Sequence, residues 1–349
     1  VLLAALLVLA PCLAPCVVPE AHARSSPESF APLVRQVLPA VVNIAVTETV
    51  GGNDEIADIP PELRDTPLGR QLRDRLRNRR EQVQGAGSGF IVDPSGIIVT
   101  NNHVVGHADK IVVSLVDGTQ LPATLVGTDD LTDIAVIRVS AGHPLPFVSF
   151  GDSRQMEVGD WIMAAGNPFG LGGSVTAGII SARGRDIGAG PFDDFLQIDA
   201  PINPGNSGGP TFNMDGQVVG MNTAIVSPGG GSVGIGFAIP SALAAPVVMQ
   251  LREHHRIERG WLGVSVSDAE GPGVPIAAVE RTGPAFRAGL RPGDVVSSVN
   301  GVHVDSSRSL IRAVAAIPPG ETARLSIRRN GRDLDVPVTV GRRPDEQAG

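Results

Sequence analysis

Between Gly89 and Ile239 the chain sustains no long apolar stretch; turn residues cut it into short apolar runs. The runs fall at Gly89–Val92, Gly96–Thr100, Lys110–Leu115, Leu121–Val126, Ile134–Val139, Trp161–Ala165, Ser174–Ser181, Phe195–Ile198, Gly216–Asn222 and Gly234–Ile239. Asp117-Gly118, Asp215-Gly216 and Pro94-Ser95-Gly96 supply hairpin or turn signals between them. Strands this short and this regularly spaced predict two packed β-barrels or a closely similar all-β arrangement. Composition agrees. With 43 glycines and 29 prolines, turns are favoured over long helices. With no tyrosine and two tryptophans, the cores must be packed by Val, Ile, Leu and Ala.

The flanking segments read differently. Ser29–Val46 predicts a short helix followed by a first strand from Pro39. From Gly51 to Gln84 the chain turns polar and carries seven arginines between Arg64 and Arg80. Leu68, Leu72 and Leu76 draw one narrow apolar stripe along that basic segment, which suits either a solvated insertion or a docking element. Ser241–Arg252 predicts a helix capped by Ser241, despite Pro246, and His254–Arg259 a charged hinge. From Gly260 onward, strand and helix signals alternate over a small mixed α/β module. Val1–Val18 is almost wholly apolar and is followed by Ala21-His22-Ala23, a small-x-small pattern that reads as a cleaved secretory signal. The only cysteines, Cys12 and Cys16, lie inside it, so a mature chain has no thiol for catalysis, disulfides or metal binding. The expected organisation is a signal over 1–23, a β-rich domain over 24–253 with an insertion at 51–84, a hinge at 254–260, the small domain over 261–342 and a tail at 343–349.

One hexapeptide, Gly205-Asn206-Ser207-Gly208-Gly209-Pro210, carries chemistry. A serine between glycines can stand exposed on a tight turn whose N–H groups converge on one point. A nucleophile with an oxyanion hole needs that arrangement. On this reading Ser207 is the nucleophile, and the N–H groups of Gly205 and Ser207 hold the negative oxygen. A serine hydroxyl needs a base, and that base needs a partner to fix its tautomer. His103 ends the run Val99-Thr100-Asn101-Asn102 and is the candidate base. Asp133, at the head of Ile134-Ala135-Val136-Ile137, is the candidate partner, because an aspartate beginning a buried strand is costly unless hydrogen-bonded. Asp129 and Asp130 compete but sit in a segment that reads as an exposed turn. The net charge of −8 and the lack of interleaved aromatic and basic residues argue against nucleic-acid binding. No nucleotide loop or metal-ligand cluster is present, so no cofactor is expected.

The order His, Asp, Ser is that of the chymotrypsin-type triad. Thr100-Asn101-Asn102-His103-Val104-Val105, Leu131-Thr132-Asp133-Ile134 and Asn203-Pro204-Gly205-Asn206-Ser207-Gly208-Gly209-Pro210 resemble the HtrA/Deg serine proteases. So do Gly166-Asn167-Pro168-Phe169-Gly170 and Gly234-Ile235-Gly236-Phe237-Ala238-Ile239-Pro240. The resemblance implies a mostly β chain, a chymotrypsin-like double β-barrel followed by a small α/β PDZ domain. It implies ATP-independent endoproteolysis of unfolded or damaged proteins in the periplasm or cell envelope, with cutting after small aliphatic residues and assembly as a homotrimer. It makes Ile235, Gly236 and Phe237 part of the primary specificity pocket, and Arg183–Asp194 the loop that senses the PDZ domain, with Arg185 matching its arginine. In the small domain, Leu262, Gly263 and Val264 match the loop that captures a C-terminal carboxylate; Leu310 and Ile311 are candidate pocket walls beside it.

The sequence departs from the family at 51–84, where arginines and leucines replace the usual aromatics, and at Pro201 and Thr211, from which little effect is expected. One PDZ domain fits before the chain ends, which favours a trimer over the cages of two-PDZ relatives. Two rival functions stay open: a membrane-tethered protease that cuts one signalling target, and a chaperone or peptide-binding scaffold with an idle triad.

Overall fold

A computed structural model describes residues 27–51, 66, 80–170, 172–225, 231–267 and 271–343. The N-terminal apolar segment and the leucine stripe lie outside these residues. Helix α1 (Ala31–Val37), with Pro32 in its first turn, leads into β1 (Val41–Gly51). β2 (Arg80–Asp93) pairs with β1 residue for residue from Phe90 on Val41 out to Arg80 on Gly51. Both ends of the segment expected as an insertion are therefore ladder. The Gly96 N–H donates to the Asp93 carbonyl at 3.0 Å and turns the chain into β3 (Ile97–Asn101). After the single turn α2 (Asn102–Val105) come β4 (Lys110–Ser114), β5 (Gln120–Asp129) and β6 (Ile134–Val139). They close a barrel in the order β1-β2-β3-β6-β5-β4.

The second barrel comprises β7 (Trp161–Gly166), β8 (Ser174–Arg185), β9 (Phe195–Ile198), β10 (Pro210–Phe212), β11 (Val218–Ile225) and β12 (Gly236–Pro240). Its order is β10-β11-β12-β9-β8-β7. The expected double β-barrel is present. Because successive strand side chains face opposite ways, each strand serves two cores. On β7, Ile162 and Ala164 fill the second barrel, while Met163 and Ala165 join the core shared with the first. On β12, Ala238 points inward, and Phe237 and Ile239 point to the shared core.

Helix α3 (Ser241–His254) lays Ala244, Val247, Val248 and Leu251 on that shared core. Ser241 does not cap it. Pro240 holds the cap position, and the Ser241 hydroxyl donates to the Gly151 carbonyl at 2.7 Å and accepts from the Ser153 N–H at 3.0 Å. A distant loop offered a partner that the local cap could not. Among the described residues no helix is long and apolar enough to cross a membrane.

The small domain contains β13 (Gly260–Trp261), β14 (Val264–Val266), β15 (Val274–Val279), α4 (Pro284–Arg287), β16 (Val295–Val299) and β17 (Val302–His303). It continues with α5 (Ser307–Ala315), β18 (Thr322–Arg329), β19 (Arg332–Thr339) and β20 (Gly341–Arg342). One sheet runs β14-β15-β16-β18-β19, so β14 lies at its edge; β17 pairs with β16, and β13 pairs with β20. The sequence predicts one strand over Trp261–Val266, but Gly263 adopts φ +73° and breaks it in two. Helix α5 is opened by a reciprocal cap between Ser306 and Ser309.

Asp294 is buried beneath this sheet, 1% exposed, and accepts two hydrogen bonds of 2.7 Å from the Arg329 guanidinium. Arg329 first, and the Arg291 N–H after it, hold the Asp294 carboxyl below the ordinary carboxylate range. A depressed carboxylate contributes stability that is fully present above its ordinary value of about 3.9. That contribution is lost as pH falls through the folded-state value. Urea unfolding of wild type and Asp294→Asn should therefore differ fully at pH 6, and the difference should begin to shrink only once pH falls below about 4.

Candidate active site

The cleft between the barrels gathers residues from both. At the end of β3, Asn101 and Asn102 turn the chain into α2, which presents His103 half-exposed to the cleft. Across from it, Asp133 takes φ +56°, a left-handed conformation that aspartate tolerates better than most residues. Two donors fix that conformation on its carbonyl: the Asn101 side-chain amide at 3.0 Å and the Asn102 N–H at 3.1 Å. The Asp133 carboxylate then holds His103 twice. Oδ1 accepts the His103 backbone N–H at 2.9 Å, and Oδ2 lies 2.7 Å from Nδ1. With the proton held on Nδ1, Nε2 keeps its lone pair toward the cleft.

Ser207 lies on the other wall, just before β10. Gly205 and Gly208 adopt φ +95° and +82°, the region where glycine is unstrained. At Gly208 a Cβ would come within 2.3 Å of both the Ser88 carbonyl and Thr100 Oγ1, so no larger residue fits the turn. The Gly208 N–H donates to the Asn222 carbonyl, and the Asn222 N–H to the Gly209 carbonyl, each at 2.8 Å. Among the described residues, the Gly205 and Ser207 N–H groups donate to no protein acceptor, which leaves both for a ligand. His103, Gly205 and Ser207 all line one cavity of about 310 Å³. The Ser207 hydroxyl is turned toward the Thr223 carbonyl at 3.5 Å and makes no hydrogen bond to His103. The aspartate–histidine pair is formed, and the serine hydroxyl stands apart from it.

Sequence reasoning passed over several residues. Thr223, a polar residue inside the β11 run, donates its hydroxyl to Asp133 Oδ2 at 2.8 Å. Ser88, a serine between two strand glycines, donates to the Gly205 carbonyl at 2.6 Å and accepts from the Asn167 N–H at 2.8 Å. Thr211, expected to matter little, is fully buried and donates to Asn222 Oδ1 at 2.6 Å, so it braces the nucleophile turn. Pro201 is exposed, its carbonyl accepting from the Thr176 hydroxyl at 3.0 Å. Asp129 corrects the exposed-turn reading. It is buried at 6% exposure, accepts from the Thr132 hydroxyl, and takes a two-pronged ion pair from Arg259 at 2.5 and 2.6 Å. Asp130 is exposed and accepts from the Asn102 amide at 2.7 Å.

Of the residues matched to the primary pocket, Phe237 is buried edge-to-face on Phe195 with ring centres 6.3 Å apart. Gly236 packs against Ile198 and Ile202; a Cβ there would lie 2.9 Å from Ile202. Ile235 is half-buried and packs on the shared core. Arg185 ends β8 and donates to the Gln197 side chain at 2.8 Å. The grip on its loop comes from the small domain instead: Arg312 of α5 donates to the Pro191 and Asp193 carbonyls, and Arg308 pairs with Asp186 at 2.7 Å.

A second cavity, about 650 Å³, runs between β14 and α5. Leu262, Gly263 and Val264 line one wall and Leu310 and Ile311 the other, while Leu131 and Phe192 of the barrel domain close its far side. Among the described residues the Leu262 and Gly263 N–H groups donate to no protein acceptor, and the Gly263 carbonyl takes the Glu280 N–H at 2.9 Å. Leu310 serves the core as well as the groove.

A double barrel with a glycine-framed serine beside an aspartate-held histidine, followed by a β-edge module, defines a trypsin-like serine endopeptidase with a PDZ domain. Residues 87–221 match the trypsin-like peptidase domain and 260–340 the PDZ domain. A protein of Brucella suis, named a periplasmic DegP-like serine endoprotease, is 44% identical over 93% of this chain and 71% of its own. One of Pseudomonas putida with the same name is 40% identical over 94% and 73%. A variant of the HtrA-type protease AlgW, solved with a decapeptide, superposes with TM-score 0.81 at 39% identity, covering 92% of this chain and 99% of that one. The chain belongs to the HtrA/DegP family of serine endoproteases.

Removing one partner of a buried ion pair leaves the other charge uncompensated. Asp129→Ala should cost about 3 kcal/mol of stability, and Asp129→Ala with Arg259→Met should cost less than the single change. Chemical denaturation of the three proteins checks this.

Proposed function

We propose that Ser207 attacks a peptide carbonyl while His103 takes its proton and later returns it to the leaving amine. Asp133, itself held by Thr223, keeps the imidazole oriented throughout. The Gly205 and Ser207 N–H groups receive the oxyanion, a pair of contacts in which each donor is worth about 3 kcal/mol of barrier. The observation that carries this reading is the pair of hydrogen bonds between His103 and the Asp133 carboxylate, in the same cleft as two unspent N–H groups. The apolar surroundings of Gly236, formed by Ile198 and Ile202, support cutting after small aliphatic residues. Polypeptides without tertiary structure fit such a cleft best, because the chain must lie extended across it. The relatives' names support a place in the periplasm, and the family supports a homotrimer.

The PDZ groove supports regulation by C-terminal peptides. The free N–H groups of Leu262 and Gly263 suit a carboxylate, and the open edge of β14 suits an added strand. The groove's far wall, Leu131 and Phe192, belongs to the protease domain, and Leu131 lies two residues from Asp133. A peptide seated there presses on the loop that Arg312 and Arg308 grip.

Ser207→Ala should lower cleavage of an unfolded protein by about a thousandfold or more and abolish labelling by a serine-directed fluorophosphonate. An unlabelled wild type would instead favour the scaffold reading. A peptide with a free C-terminal carboxylate should change the cleavage rate, and its C-terminally amidated form should not. Arg312→Ala should shrink the response to the peptide, measured as the ratio of rates with and without it.

A further inference from the structure

The cavity that holds His103 and Ser207 is walled largely by residues of the first barrel. Its walls there are Val46, Val83, Gly85, Ala86, Val104 and Ala108. The acyl half of a substrate lies on the second barrel, beside Gly236. The amine half must leave on the side of His103, which hands it a proton. The aliphatic walls therefore lie where the chain continues beyond the cut bond.

We propose that this cavity is a subsite for the residue immediately after the scissile bond, and that it selects a large apolar side chain there. The proposal rests on the catalytic roles given above. Three features carry it. The space is continuous with the reacting groups, since His103, Gly205 and Ser207 form one of its sides. Its size depends on a glycine: a Cβ on Gly85 would come 2.8 Å from Val46 Cγ2, so any larger residue there intrudes on the wall. Of its wall residues beyond His103, Glu48, paired across the hairpin with Val83, and His107 are the ionisable ones, and the Glu48 carboxylate disfavours an acidic side chain entering. None of the residues lining this cavity lines the PDZ groove.

Peptides sharing one sequence before the cut bond and carrying Ala, Leu, Phe, Lys or Asp after it would be cleaved by the full chain. Leu and Phe should exceed Ala in kcat/KM by about tenfold, the span a few methylenes earn in an apolar pocket, and Asp should be cut least. Gly85→Val should collapse the Leu-to-Ala ratio toward unity, and Glu48→Gln should narrow the gap between Leu and Asp. Equal rates across the wild-type series would overturn the proposal, as would an unchanged Leu-to-Ala ratio in a folded Gly85→Val. The wild-type series decides the matter even where that variant does not fold. Failure to cut any peptide, together with no fluorophosphonate on Ser207, would instead strike the catalytic reading and take the subsite with it.

Discussion

The carboxylate of Asp133 ties the two barrels together chemically. One oxygen holds the backbone of His103, and the other holds the imidazole and also receives the hydroxyl of Thr223 from the second barrel. A charge this well partnered can sit in a cleft without the penalty of an isolated buried ion. Its left-handed backbone, pinned by Asn101 and Asn102, is what aims both oxygens the same way. The remaining parts of the site are arranged around that fixed point. The Ser207 hydroxyl alone stands apart from it, facing the Thr223 carbonyl.

Rigidity elsewhere in the site is distributed over neutral hydrogen bonds. Asn222 and Thr211 brace the nucleophile turn from below, and Ser88 ties its Gly205 carbonyl to the Asn167 backbone. None of these groups hydrogen-bonds the Ser207 hydroxyl or the His103 ring. They determine instead whether Gly205 and Ser207 point their N–H groups at a common position, where a small error in angle forfeits most of the electrostatic benefit. Both barrels thus brace this turn, Ser88 from the first and Thr211 and Asn222 from the second.

Much of this was legible in the residues. The spaced apolar runs gave both barrels because strand periodicity and turn chemistry are local. His103 and Asp133 stood out because each sits where an apolar run begins or ends, and Ser207 because glycines frame it. The failures share a cause. Asp129 looks like a turn residue until Arg259, 130 positions away, buries it. Ser241 looks like a cap until the loop at Gly151 and Ser153 claims its hydroxyl. Thr211 looks incidental until Asn222 meets it. In each case a side chain was assigned to its nearest neighbours in sequence, and a partner from another element won. Arg185 and the PDZ loop came from family resemblance; nothing in their spacing alone marks them.

The β1–β2 hairpin has a consequence for how the chain can change. All of β1, 11 residues long, is paired to β2, and the two strands are still in register where they reach Gly51 and Arg80. The ends of whatever joins them are thus already brought side by side, and the entropic cost of a longer connection grows only with the logarithm of its length. Stretches of chain can be gained or lost at that point without disturbing barrel closure. The tip of this hairpin is a natural place for lineages of such enzymes to diverge.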